Sequence, residues 1–200
     1  MDRIQAIADK HGLQIYEDAA QALGSKWNGK GAGTFGVASC ISFYPAKVLG
    51  TLGDAGAIIT NRKDIYEKLM LLRNHGRDEN DDVVLWGFNS RLDNLHAAFL
   101  QLRLNDYPSV IKRRRELAAR YQEQLCGLRH VKLPPAPNSD TRHYDIYQNY
   151  EIEAEKRDEL KIFLEKKGVG THIQWGGKLV HQFHKLGFNQ SLQYSEKLMS

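Results

Sequence analysis

The chain has 200 residues, enough for one domain of ordinary size or two small ones, and its 42% hydrophobic and 26% charged residues are typical of a globular protein. The net charge of +4 includes the basic run Lys112–Arg115. Because no aromatic residues are interleaved with that run and acids follow it at Glu116 and Glu123, we favour a solvated helix face over a nucleic-acid site.

The cysteines and the apolar runs indicate the cellular compartment of the protein. Cys40 and Cys126 belong to no C-x-x-C pair, which argues against a zinc site and against a disulfide framework, and a reducing compartment suits them. No apolar run approaches the ~20 residues that cross a bilayer, and the first residues lack the apolar region of a signal peptide. We therefore expect a cytoplasmic protein that binds neither membrane nor nucleic acid.

The first half of the chain alternates helical and strand patterns. Asp2 is placed to cap a helix whose apolar positions include Ile4, Ile7 and Ala8, and Gly12 is placed to end it. The stretches LQIYED, VASCISFY and GAIIT are rich in strand formers and suit strands covered on both faces. RKDIYEKLMLLRNHG returns to helical spacing and stops at Gly76. This order predicts an α/β sheet.

The second half predicts a change of architecture. Ser90 and Asp93 resemble a capping box before an amphipathic helix, a second helix is predicted from about Ile111 to Leu125, and the proline-rich LPPAPNSD marks a boundary. Beyond it, HYDIYQNYEIEA and VGTHIQW have strand character, and EKRDELKIFLEKKG is helical up to Gly168. We expect a smaller α+β domain here.

Residues 31–36, GAGTFG, match the G-x-G-x-x-G pattern of dinucleotide-binding loops. That fingerprint requires a strand before the glycines and a helix after them, so that the phosphate meets a helix N-terminus. Here a predicted strand follows instead. We therefore interpret the glycines as turn residues or as sites of close packing.

The stretch ISFYPAKVLGTLGDAGAIIT places one lysine, Lys47, between two apolar runs. Burial favours the neutral amine, which attacks carbonyl groups, whereas a loop lysine that reaches the solvent is the alternative. Asp18 follows another predicted strand, and ligands of open α/β sheets bind at the carboxyl ends of the strands. A carboxylate and a Schiff-base lysine form the pair that pyridoxal phosphate (PLP) requires.

Three stretches carry a family resemblance: YEDAAQALGSKWNGKGAGTFGVASCISFYPAKVLGTLGDAGAIITN, GFNSRLDNLHAAFLQLRL and KRDELKIFLEKKGVGTHIQW. In this order they resemble the DegT/DnrJ/EryC1/StrS family of PLP-dependent nucleotide-sugar aminotransferases over essentially the whole chain. The resemblance implies an α/β protein of fold-type I. Residues 1–110 would form part of the large PLP-binding domain, with a mostly parallel sheet and helices, and residues 111–200 a small α+β domain that is incomplete at its end.

The family pattern implies roles for five residues of this chain. Lys47 would carry PLP as a Schiff base, and Asp18 would hold the proton on its pyridine nitrogen. Gln21 would lie against the ring and its phenolic oxygen, Ser42 would bind the phosphate, and Asn89 would reach the phosphate of the neighbouring subunit. Outside the family pattern, Ser42 is an ordinary strand serine, Gln21 a helix surface residue and Asn89 a turn residue.

Further features bear on the substrate. The segment THIQWGGKLVHQFHKLGF corresponds to a family region that approaches the sugar nucleotide, and His181 is the substrate-binding candidate there; a structural histidine is the alternative. The GDAGA stretch resembles family members that aminate C3 of a keto-sugar, whereas the C4 enzymes more often have a Glu-Gly-Gly version. Val48 departs from the asparagine that commonly follows the lysine.

The resemblance implies a homodimer that transfers an amino group from glutamate to a keto-sugar nucleotide, for surface-polysaccharide (lipopolysaccharide O-antigen) or other amino-sugar biosynthesis. Family members are nearly twice as long, and their N-terminal half supplies a phosphate-binding turn and a ring-stacking aromatic that we expect this chain to lack. The competing hypothesis is a non-catalytic remnant with a folded, self-associating core. Related sugar dehydratases replace the lysine by histidine, so Lys47 argues against that class.

Overall fold

The computed structural model describes residues 1–199. Its α-helices are α1 (Asp2–His11), α2 (Lys63–Leu72), α3 (Asn94–Leu125), α4 (Arg157–Lys166) and α5 (Gln193–Met199). Its strands are β1 (Tyr16–Asp18), β2 (Lys26–Trp27), β3 (Lys30–Gly31), β4 (Ala38–Ser42), β5 (Gly56–Ile59), β6 (Val131–Lys132), β7 (His143–Tyr144) and β8 (Glu153–Ala154). Short 3₁₀ turns occupy Gln174–Gly177, Val180–Gln182 and His184–Leu186. Among the helices of residues 1–199, none has the length and apolar character of a membrane span.

The sheet that contains Asp18 and Ser42 has three strands in the order β1-β4-β5. β1 and β4 run parallel, with Asp18 opposite Cys40, whereas β4 and β5 pair antiparallel, with Ser42 opposite Gly56. The chain returns from β4 to β5 without a crossover helix, and such a direct return gives antiparallel neighbours. One of the two pairings is therefore parallel, and the prediction of a mostly parallel sheet is not confirmed by these strands.

The chain divides into two compact units. The first contains Met1–Tyr121 and Pro135–Tyr150, and the second contains Gln122–Pro134 and the residues from Glu151 onward. Residues 135–150 belong to the first unit because β7 pairs with β2 and Ile146 is buried in its core. The assignment of residues 1–110 and 111–200 to a large and a small domain stays a prediction, and the compact units divide at other positions.

Helix α1 ends as predicted but begins differently. Gly12 has a left-handed backbone with φ of +63° and its N–H bonds the carbonyl of Asp9, as a glycine C-cap does. Met1 is the residue before the helix, and Asp2 lies in the first turn. The carboxylate of Asp2 instead accepts a hydrogen bond of 2.8 Å from the indole Nε1 of Trp27, so the predicted cap at Asp2 is wrong.

Helix α3 is one continuous helix, where the sequence predicted two. It runs through Pro108, and it begins at Asn94, so Ser90 does not cap it. An internal proline costs a helix about 3 kcal/mol. Tyr107 and Ile111, on either side of Pro108, are both buried in the core, and this packing offsets the cost.

The strand predictions after residue 140 are only partly correct. HYDIYQNYEIEA contains the two-residue strands β7 and β8, which belong to different sheets. VGTHIQW is not a strand: residues 169–173 are irregular, and a 3₁₀ turn begins at Gln174. Trp175 and Gly176 have positive φ values of 53° and 62°, which no strand accommodates.

The core of the first unit joins three parts of the chain. Its buried members are Val48 and Leu49 after β4, Ile146 before the second unit, and three residues of α3, Leu100, Tyr107 and Ile111. The phenol of Tyr107 also donates a hydrogen bond to the carbonyl of Leu23, which follows β1. The turns that follow β1 and β4 are therefore both packed against α3.

The glycine loop, residues 31–36, lies before β4 and provides a test of close packing. An added Cβ at Gly36 would lie 2.2 Å from the carbonyl oxygen of Ile15, whereas an added Cβ at Gly31 would meet no atom within 4 Å. We expect Gly36→Ala to lower the free energy of unfolding by about 2–3 kcal/mol, because backbone must move. Gly31→Ala, the matched control, should change it by less than about 0.5 kcal/mol. Urea denaturation measures both, and equal effects would contradict this packing.

Candidate active site

Lys47 lies in the turn that follows β4. Its side chain is half-buried, and its amine makes no hydrogen bond or salt bridge within residues 1–199. Its backbone N–H donates to the carbonyl of Tyr44 at 2.8 Å, which closes the turn. The amine is thus placed by the backbone and is available to a ligand.

Contacts from distant parts of the chain hold this turn. The side-chain amide of Gln148 donates from Nε2 to the carbonyl of Ala46 and accepts at Oε1 from the N–H of Val48, both at 2.9 Å. Arg103 of α3 donates to the carbonyl of Gly50 at 3.0 Å. Sequence reasoning missed Gln148, which lies 100 residues from Val48 and carries no local signal.

Asp18 is the last residue of β1, and its side chain is exposed. Its carboxylate accepts a hydrogen bond of 3.1 Å from the N–H of Ala20, which orients it in the turn after the strand. Because β1 and β4 are parallel and Asp18 pairs with Cys40, Asp18 and Ser42 lie at the same edge of the sheet. This edge is where ligands of α/β proteins bind.

Ser42 and Gln21 follow the same strands. Ser42 ends β4, is half-buried, and accepts a hydrogen bond of 3.3 Å from the N–H of Tyr44 at its hydroxyl. Gln21 lies in the turn after β1, and its exposed side chain makes no hydrogen bond within the part of the chain that the structure describes. The structure therefore brings Asp18, Gln21, Ser42 and the Lys47 turn to the carboxyl ends of two neighbouring parallel strands.

Asn89 lies outside this group. It is exposed, forms an isolated bridge with Asn74, and accepts a hydrogen bond of 3.0 Å at Oδ1 from Nε of Arg91. Within residues 1–199, no hydrogen bond connects it to the turn of Lys47. A contact of Asn89 with the same ligand in another subunit stays a prediction.

His181 belongs to the second unit and is buried, with its side chain 7% exposed. Its Nε2 lies 3.0 Å from the carboxylate of Glu196 in α5. The backbone N–H of Leu192 and this histidine hold the pKa of Glu196 below its ordinary value. These contacts favour the structural alternative for His181. It also lines a cavity of about 390 Å³ with Leu179 and Phe188, so contact with a substrate stays a prediction.

The glycine loop binds an internal carboxylate. The N–H groups of Gly33 and Gly36 donate to the two oxygens of Glu17 at 2.7 and 2.9 Å, and the N–H of Phe35 donates to the same carboxylate. Convergent N–H groups of this kind form an anion-binding nest. The nest is occupied by a side chain of β1, the neighbour of Asp18, so the loop anchors the end of that strand. Gly33 has φ of +91°, as the interpretation of these glycines as turn residues predicts.

The nest predicts that the carboxylate of Glu17 contributes more to the free energy of unfolding than the carboxylate of an exposed glutamate does. We expect Glu17→Gln to lower the free energy of unfolding by about 2 kcal/mol, because hydrogen bonds to charged groups contribute roughly 1.5–3 kcal/mol each. Glu123→Gln, at an exposed position of α3, is the matched control and should change it by less than about 0.5 kcal/mol. Urea denaturation measures both. An unfolding midpoint of Glu17→Gln equal to that of the control would contradict the anchoring role.

Comparison with known proteins bears directly on this arrangement. The chain is 40% identical, over 86% of its length, to a dTDP-3-amino-3,4,6-trideoxy-alpha-D-glucose transaminase of Streptomyces venezuelae, and covers 44% of that protein. It is 39% identical, over 95% of its length, to a protein of Geobacillus stearothermophilus named pleiotropic regulatory protein, and covers 51% of it. The chain thus spans about half the length of these curated relatives.

A solved structure and a family model match the whole chain. The crystal structure of DesV from S. venezuelae superimposes with a TM-score of 0.90 at 35% identity, over 100% of this chain and 53% of DesV. This likeness confirms the predicted fold-type-I aminotransferase fold. The model of the DegT/DnrJ/EryC1/StrS aminotransferase family matches residues 1–200. The chain therefore belongs to the DegT/DnrJ/EryC1/StrS aminotransferase family.

Proposed function

We propose that this protein is a PLP-dependent aminotransferase that aminates a keto-sugar nucleotide. One observation carries the proposal: the half-buried amine of Lys47, without a partner in residues 1–199, follows β4 at the sheet edge where Asp18 ends the parallel strand β1. Membership of an aminotransferase family supports the reaction type. The transaminase relative from S. venezuelae supports the substrate class.

The donors at this edge fit PLP chemically. Lys47 offers a primary amine for the aldehyde carbon, and Asp18 offers an exposed carboxylate for the pyridine nitrogen. Ser42 offers a hydroxyl for the phosphate, and Gln21 offers an exposed amide for the ring and its phenolic oxygen. Asn89 from a second copy of the chain would complete the phosphate site.

The proposed roles of these residues follow from their chemistry. When bound, PLP supplies an electron sink for the negative charge that develops at the α-carbon of an amino acid. Asp18 keeps a proton on the pyridine nitrogen, which strengthens that sink. Lys47 Nζ would act as the general base that takes the proton from the donor's α-carbon and as the general acid that delivers it to the cofactor. Ser42 and Gln21 orient the bound molecule.

The finer assignment of donor and acceptor is part of the proposal. We infer glutamate as the amino donor and a 3-keto sugar nucleotide as the acceptor, with C3 favoured over C4. The GDAGA stretch supports C3, as does the 3-amino sugar in the name of the S. venezuelae relative. The product would serve surface-polysaccharide, including O-antigen, or other amino-sugar biosynthesis. We further propose that the protein is a homodimer, because Asn89 can bind the phosphate only across a subunit interface in the family pattern. We also propose that the protein is cytoplasmic.

The first prediction of this proposal concerns Lys47. In the PLP-loaded protein, borohydride reduction should attach the cofactor to Lys47, as located by peptide mass spectrometry. Lys47→Ala should lower kcat by about 10²–10⁴-fold, because it removes the general acid and base. The assay uses glutamate with a panel of 3-keto and 4-keto sugar nucleotides, and amino-sugar formation is measured by mass spectrometry.

Lys10→Ala, at an exposed position of α1, is the control and should retain wild-type activity. A label on a lysine other than Lys47 would contradict the assignment. A wild-type protein that is labelled at Lys47 but aminates none of the sugar nucleotides would contradict the proposed substrate class.

The second prediction concerns the shared site. If Asn89 acts in the neighbouring subunit, a heterodimer of Lys47→Ala and Asn89→Ala has one site with both native residues. Mixing equal amounts of these two variants under conditions that exchange subunits should restore about a quarter of wild-type activity, because about half of the dimers are mixed and each has one intact site. No recovery from verified heterodimers would place Asn89 in its own subunit's site, and a fully active Asn89→Ala homodimer would place it outside any site.

A further inference from the structure

The side-chain amide of Gln148 brackets Lys47. Its Nε2 donates to the carbonyl of Ala46, the residue before the lysine, and its Oε1 accepts from the N–H of Val48, the residue after it; both bonds are 2.9 Å. The amide thus binds one group from the peptide unit on each side of the Lys47 backbone. Such a two-point contact restrains both peptide planes.

This bracket holds the backbone from which the Lys47 side chain extends. The amine has no hydrogen-bond or ion-pair partner within residues 1–199, so no polar contact of the side chain itself directs it. The backbone on either side is fixed, because Val48 and Leu49 are buried and the N–H of Lys47 bonds the carbonyl of Tyr44 at 2.8 Å. The direction of the Cα–Cβ bond is therefore set by the backbone contacts.

Gln148 is itself held by contacts to α3. Nη1 of Arg114 donates to the carbonyls of Tyr147 and Gln148 at 2.9 and 3.2 Å. Tyr147 has φ of +53°, a left-handed conformation that is strained for a residue with a side chain. The carboxylate of Asp145 accepts from the N–H of Tyr147 at 2.9 Å, and Ile146 is 1% exposed. These contacts offset the strain and aim the Gln148 side chain at the lysine turn.

We propose that Gln148 is a positioning residue for Lys47, and that Arg114 supports it by holding the backbone of residues 147 and 148. The inference rests on the proposed role of Lys47. Gln148 moves no proton and acts only through the placement of the Lys47 amine. A misplacement of about 1 Å in a reacting group lowers a rate by about 100-fold. Loss of the Gln148 contacts should therefore lower the catalytic rate, although these contacts are made to backbone groups and not to the amine.

The test compares Gln148→Ala with Gln148→Glu in the PLP-loaded protein. Gln148→Ala removes both contacts, and we expect kcat to fall by about 100-fold while KM for the keto-sugar nucleotide changes by less than about twofold. Gln148→Glu keeps an acceptor for the N–H of Val48 but loses the donor to Ala46, so its kcat should be intermediate. Gln124→Ala, at an exposed position of α3, is the matched control and should leave both parameters unchanged.

Two further measurements do not depend on activity. Hydrogen exchange at the amide of Val48 should accelerate by about tenfold in Gln148→Ala, because its hydrogen bond is lost, and the yield of borohydride labelling at Lys47 should fall. Unchanged exchange at Val48 would overturn the inference. Faster exchange throughout β4 and α3, with wild-type kcat in the folded fraction, would show a merely structural role and would also overturn it.

The failure of this inference is distinguishable from the failure of the proposed function. If the wild-type protein is labelled at Lys47 and Gln148→Ala is labelled equally well with wild-type kcat, the positioning role is wrong and the proposed function stands. If the wild-type protein is labelled at another lysine, the proposed function is wrong, and the catalytic part of this inference is overturned with it.

Discussion

The turn after β4 has no regular secondary structure of its own, and it must be held from outside. Val48 and Leu49 are buried against Ile146 and residues of α3, and the amide of Gln148 bonds the backbone on both sides of Lys47. Packing removes the apolar side chains from water, and the hydrogen bonds satisfy backbone groups that no sheet partner reaches. The position of the candidate catalytic lysine therefore depends on residues about 100 positions later in the chain.

Two kinds of contact anchor the two strands that carry the candidate site. The end of β1 is held by the carboxylate of Glu17, which accepts hydrogen bonds from three backbone N–H groups of the glycine loop. The chain after β4 is held by side chains from outside the sheet: Arg103 of α3 bonds Gly50, and Gln148 bonds Ala46 and Val48. A site at strand ends gains precision when its strands cannot shift relative to each other, because its chemical groups then keep a fixed separation.

The sequence predicted the elements whose signals are local. Helical spacing with a glycine C-cap identified α1, and short apolar runs identified β1, β4 and β5, because these patterns arise within each segment. The predictions from sequence failed where packing between distant parts of the chain determines the secondary structure. Two helices were predicted over this stretch, yet the burial of Tyr107 and Ile111 keeps α3 continuous through Pro108. The positions of Asp18 and Ser42 at strand ends were predictable from strand order, whereas the Gln148 bracket and the Glu17 nest join residues that no local pattern connects.

A crystal structure of the PLP-loaded protein would show directly whether Lys47 and Asp18 act on the same molecule. We expect continuous electron density from Nζ of Lys47 into the cofactor, and a carboxylate oxygen of Asp18 about 3 Å from the pyridine nitrogen, within hydrogen-bond distance. Density joined to a different lysine, or a pyridine nitrogen beyond hydrogen-bond distance of Asp18, would contradict it.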